Sequence, residues 1–151
     1  LKKIELVITN ETIDDYAVHY KKLHPRMRVK PIKTPWHPTV NTWMILPRMS
    51  MNQLKQQWKD FIIWFIEKNG YTNLKIDDCT MKFKTFYKNN RRHDVDAAVP
   101  KFILDGFSES GFIVDDDSKH LKELTLFCDV DKENPRTEIE VYVNNVESVH
   151  E

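Results

Sequence analysis

Glycine is scarce in this chain, with three in 151 residues, at positions 70, 106 and 111. So few glycines, and no low-complexity tract, exclude a linker-rich or collagen-like protein. Cysteine is scarcer. Cys79 and Cys128 stand far apart, which excludes a disulfide framework and a C-x-x-C zinc site. They read as two small buried or half-buried thiols, in keeping with a reducing cytoplasm. Long apolar runs are also missing. The longest, residues 61–66 (Phe-Ile-Ile-Trp-Phe-Ile), falls far short of the roughly 18–20 residues that span a bilayer. No signal-peptide pattern follows Leu1. Hydrophobic residues make up 40% and charged residues 30%, a globular balance. The expectation is one domain over residues 1–151, cytoplasmic and off the membrane.

Net charge is zero, with 23 basic and 23 acidic residues, but the signs are segregated. Residues 19–34 hold six basic residues (Lys21, Lys22, Arg26, Arg28, Lys30, Lys33) and no acid. Residues 82–92 hold five more (Lys82, Lys84, Lys88, Arg91, Arg92), again without an acid. Residues 105–151 carry thirteen acids against four bases. This separation suits a basic face for a polyanion beside carboxylates with another task; two solvated faces on an ordinary protein are the alternative.

Periodicity gives a coarse element order. Residues 3–9 read as a strand, and Asn10 as the N-cap of a helix over 11–23. Prolines 25, 31, 35 and 38 enforce an extended segment. Residues 40–46 are rich in strand formers and end at Pro47, so a second strand is expected there. Ser50 can cap a helix running to 69, stopped by Gly70, with Leu54, Trp58, Phe61, Ile62 and Phe65 on one core-facing stripe. Residues 75–88 alternate, with Cys79, Met81, Phe83, Thr85 and Tyr87 on one face. A polar turn over 89–93 leads to a helix over 97–109, with Pro100 placed in its first turn. Residues 121–130 and 137–143 read as strands joined at Asn134-Pro135 in a hairpin. The fold class is α+β: a single mixed β-sheet with helices packed against it.

The chemistry concentrates in the acids. Asp94 and Asp96, two apart in an extended segment, face one side and can share a hard divalent cation. Alone this is weak, since thirteen aspartates make about one D-x-D by chance. There are three, the others being Asp115/Asp117 and Asp129/Asp131. The last falls in the turn before the final strand and reads as turn chemistry. Asp115-Asp116-Asp117 follow the apolar segment 112–114; adjacent like charges repel, and a cation would relieve them. A solvated turn or helix cap is the alternative.

The run Arg91-Arg92-His93-Asp94-Val95-Asp96, then Lys101, then Asp105-Gly106-Phe107, then Gly111-Phe112-Ile113-Val114-Asp115-Asp116 resembles the RusA-like family of Holliday junction resolvases. Pro38-Thr39-Val40-Asn41 is similar to that family's early Pro-x-x-Asn segment. The specific likeness covers residues 88–117. Residues 31–146 would form the nuclease core, and residues 1–30 an N-terminal extension or added strand and helix. Ala97 stands where the family has Asn, and the stretch from Asp96 to Lys101 is one residue longer.

The resemblance implies a homodimeric, metal-dependent endonuclease that hydrolyses DNA phosphodiesters at four-way (Holliday) junctions or related branched DNA. That places it in DNA recombination and repair, of phage or prophage origin. It implies Mg²⁺ or Mn²⁺ held by Asp94, Asp96 and Asp116, with Lys101 as a fourth catalytic residue. Lys88, Arg91, Arg92 and His93 would contact DNA. A catalytically inactive DNA-binding relative is the alternative, favoured by Ala97 and the displaced lysine. An unrelated structural or protein-binding domain is a further one.

Overall fold

The computed structural model describes residues 2–91 and 93–144. Arg92 and the end of the expected core, residues 145 and 146, lie outside the described residues.

Strand β1 (Lys2–Thr9) alternates as read, burying Ile4, Leu6 and Ile8. Helix α1 (Asn10–Leu23) follows at once, and its N-cap is Thr9 rather than Asn10. The Thr9 hydroxyl accepts from the Thr12 amide at 3.3 Å, and the Thr9 amide donates to Thr12 Oγ1 at 3.1 Å. This reciprocal box satisfies two donors and needs Thr at the last extended position.

Residues 40–46 are not a strand. The segment forms a one-turn helix, α2 (Val40–Trp43), in which the Trp43 and Met44 amides donate to the Thr39 and Val40 carbonyls. Local turn bonds started by Thr39 override the β-forming composition. Trp43 packs against Phe102 at the edge of the core, while Met44 and Ile45 stay 66% and 81% exposed.

Helix α3 (Arg48–Lys68) starts earlier than the Ser50 cap implies. The Met51 amide bonds the Pro47 carbonyl at 2.9 Å, so Pro47 begins the helix where its missing N–H costs nothing. At the other end the Gly70 amide reaches Glu67 O, and the Tyr71 amide reaches Ile66 O. Gly70 takes φ +78°, as this closing motif requires.

Strand β2 (Cys79–Tyr87) has the expected parity, with Cys79, Met81, Phe83, Thr85 and Tyr87 buried. The helix expected over 97–109 is broken in two. A 3₁₀ turn spans Val95–Ala98, and α4 (Lys101–Glu109) begins only after Pro100. Proline disfavours helical backbone in the residue before it, and Val99 is accordingly extended at φ −59°, ψ +122°. Strands β3 (Leu121–Val130) and β4 (Arg136–Val143) complete the chain of elements.

The sheet is mixed, with order β1-β4-β2-β3. β2 and β3 pair in parallel, while β4 pairs antiparallel with both β1 and β2. The turn at Asn134-Pro135 therefore joins no hairpin, because β2 lies between β3 and β4. The 3₁₀ turn and α4 return the chain so that β3 runs alongside β2, and β4 then fills the gap between β1 and β2.

Helices α3 and α4 pack together, and the buried residues from Ile4 to Val143 form one core. At their crossing, Gly106 lies where a Cβ would come within 2.6 Å of Ile62, so only glycine permits this approach. Both cysteines are free, Cys79 buried and Cys128 half-buried. No helix among the described residues is long and apolar enough to cross a membrane.

Candidate active site

The break before Pro100 sets the geometry of the acidic cluster. Lys101 becomes the first residue of α4, and its ammonium projects between two carboxylates. Lys101 Nζ is 3.2 Å from Asp105 Oδ1, one turn along the helix, and 3.7 Å from Asp116 Oδ2. Thus Lys101 and Asp116, fifteen positions apart in sequence, stand together. Asp116 is held in a bent segment beyond Gly111. There the Ile76 amide bonds Phe112 O, the Val114 amide bonds Ile76 O, and the Asp116 amide donates to Asp115 Oδ1 at 2.7 Å.

Electrostatics mark Asp116. Partial burial pushes its carboxyl above the usual range, Lys101 opposes that, and Asp115 and Asp105 push it further up. Burial lowers the Lys101 pKa, but Asp105 and Asp116 outweigh it and the net shift is upward. Crowded carboxylates thus gather around one ammonium.

Asp105 is a member of the cluster that the sequence reading left without a role. Its Oδ2 is buried with no hydrogen-bond partner, the Lys55 ammonium standing 3.9 Å away. The four-residue spacing from Lys101 on one helix was the available signal. His37 is a second such residue. Its ring is buried, and its Nε2 accepts the Phe102 amide at 3.0 Å, capping the first turn of α4 just behind Lys101. No local pattern marks a partner 65 residues away.

Asp94 and Asp96 do not share an extended segment. Asp94 is extended and its carbonyl accepts the Ala97 amide, whereas Asp96 sits inside the 3₁₀ turn. Three residues per turn place positions two apart on different sides, so the strand parity argued for this pair does not apply. Both are exposed. The turn carrying them packs against β3. Among the described residues, no three His, Cys, Asp or Glu side chains group as a metal cage.

The basic run divides. Lys82 and Lys84 lie on the sheet face opposite the helices, and Lys84 is paired with Glu140 at 3.1 Å. Lys88 and Arg91 are exposed in the loop between β2 and Asp94. In that loop the His93 ring stacks on Tyr87, with centroids 3.7 Å apart and planes within 6°. Its Nε2 is buried without a hydrogen-bond partner. Arg92 lies outside the described residues. Asp131 takes turn duty, as read: it accepts the Glu133 and Asn134 amides and pairs with Arg136 at 2.7 Å.

No protein-family model matches the chain. No curated protein matches it either.

Proposed function

We propose that this protein is a magnesium-dependent endonuclease acting on DNA phosphodiesters at four-way junctions or related branched DNA, working as a homodimer in recombination and repair. The observation that carries the reading is the convergence of Lys101 on Asp116, with Asp105 beside them and the Asp94–Asp96 turn leading into the same helix. The donor chemistry fits. The Oδ2 of Asp105 is buried without a hydrogen-bond partner, and burial raises the Asp116 carboxyl above the usual range. A three-ligand protein cage is not required, because Mg²⁺ keeps several waters and takes one or two carboxylates plus substrate phosphate oxygens.

Asp116, with one carboxylate of the Asp94–Asp96 turn, would hold the metal, which supplies Lewis acidity and an acidified water. The Lys101 ammonium neutralises charge on the phosphate oxygens as the bond to the leaving group breaks. Lys88 and Arg91 hold flanking phosphates, contacts that position without reading sequence. His37 fixes the start of α4 and so the reach of Lys101. Two strands of a junction are cut by two copies of this site related by a two-fold axis.

A second reading has its own support: Lys101 already compensates Asp105 and Asp116 from within the chain, as in a relative that binds DNA without cutting it. One assay separates them. A labelled synthetic four-way junction is incubated with the protein in Mg²⁺, Mn²⁺ or EDTA. Nicked product is expected with metal only, and Asp116→Asn is expected to abolish it while retaining junction binding in EDTA. Binding without cleavage in either metal would establish the inactive relative. Wild-type cleavage by Asp116→Asn would remove this site from consideration.

A further inference from the structure

A strongly cationic surface lies elsewhere, on the segment after α1. A depression of about 440 Å³ there is lined by Arg26, Arg28, Lys30 and Lys33, and by no acidic side chain. Lys30 is paired with Asp14 at 2.5 Å; the other three have no acidic partner among the described residues. One wall is a ring stack. The Tyr20 and His24 rings lie 4.0 Å apart with planes within 17°, and His24 is exposed.

That same stack is shared with a second, aromatic depression of about 260 Å³. Its other rings are Tyr16, His19 and Trp64, with Tyr16 and Trp64 centred 5.2 Å apart and His19 and Trp64 6.0 Å apart. Asp60 and Glu67 also line it. The arrangement is thus a cationic trough and an aromatic pocket with one stacked pair between them.

We propose that this face binds single-stranded nucleic acid, the phosphates running through the trough of Arg26, Arg28 and Lys33 and an unpaired base stacking against the His24–Tyr20 pair and the Trp64 pocket. Cations track a backbone, and ring faces take any base. The Asp60 and Glu67 carboxylates can accept from exocyclic amino groups, as carboxylates do from cytosine N4. A duplex offers its phosphates but keeps its bases stacked inside, so the aromatic half of the site selects unpaired strands. The face shares no residue with the Lys101–Asp116 cluster, and its binding is independent of whether that cluster cleaves DNA.

The test is fluorescence anisotropy on the whole protein at neutral pH in EDTA, where metal-dependent cleavage is silent. The probes are a fluorescein-labelled oligothymidylate, an abasic oligomer of equal length, a duplex, and vesicles containing phosphatidylserine. Oligothymidylate should bind more tightly than the abasic chain and the duplex. Three phosphate contacts give a salt slope of about −2, at about −0.7 each on a single strand. His24→Ala should weaken oligothymidylate binding by about 5-fold or more, as one lost stacking contact does, and leave the abasic oligomer nearly unchanged. Arg26→Glu with Arg28→Glu should weaken both oligomers and flatten the slope. Equal affinity for abasic and thymidylate oligomers would overturn the base pocket. Tighter binding of the duplex would do the same. Loss of vesicle binding in the charge variant with oligomer binding intact would make the face a lipid site. Should the charge variant lose its far-ultraviolet dichroism, the comparison of His24→Ala with wild type on the two oligomers decides alone.

Discussion

Acidification provides a sharp test of how α4 is held. His37 is 5% exposed, packed between the rings of Trp58 and Phe102 at 5.6 and 5.0 Å. Its Nε2 accepts the Phe102 amide, so the ring proton sits on Nδ1, which donates to Pro38 O at 2.6 Å. Protonating Nε2 would destroy the cap and strand a charge in the core. Burial accordingly lowers the His37 pKa from 6.5 to about 4, against weaker opposing effects of the Pro38 carbonyl and Asp105. The unfolded chain therefore binds the extra proton first. Stability falls as pH drops through the window from 6.5 to about 4, and levels off below it. At 1.36 kcal/mol per pKa unit the full gap is about 3 kcal/mol, of which about 2 kcal/mol is lost between pH 7 and pH 5. Urea unfolding followed by tryptophan fluorescence at the two pH values measures it, with His37→Gln as the reference. The variant should be less stable at pH 7 yet lose about 2 kcal/mol less than wild type on acidification, since every group other than His37 is common to both proteins. An equal loss in the two proteins would refute the argument and leave α4 without its histidine cap.

Two further outcomes are expected. Gly106→Ala drives a methyl to within 2.6 Å of Ile62 at the α3–α4 crossing, and should lower the urea stability by about 1–3 kcal/mol; an unchanged midpoint would mean that the crossing yields freely. Lys88→Ala with Arg91→Ala should flatten the salt dependence of junction binding by up to about two units of log–log slope, at about −0.9 per lost phosphate contact, and an unchanged slope would place the DNA elsewhere.

Much of the architecture was readable from side-chain order. Alternation marked β1 and β2 because each buries every second side chain. The apolar stripe of α3 and the stop at Gly70 were equally local, since a period of 3.6 and a left-handed residue leave their mark within a few positions. Pro100 likewise contained its own answer. A proline disfavours helix in the residue before it, so the helix begins at Lys101 rather than at 97.

Other features are properties of the assembled molecule. Whether residues 40–46 extend or turn depended on local bonds at Thr39 prevailing over strand composition in a segment with no sheet partner. Strand order could not be read from strand existence: the return through α4 sets β3 parallel to β2 on one side, and β4 enters between β1 and β2 on the other. The candidate site divides along the same line. The sequence by itself supplied the acids and Lys101, and with them the resemblance. Only the tertiary structure brought Asp116 to Lys101 and placed His37 behind it, because through-space Coulomb interactions and burial act between residues that the chain order keeps 15 to 65 positions apart.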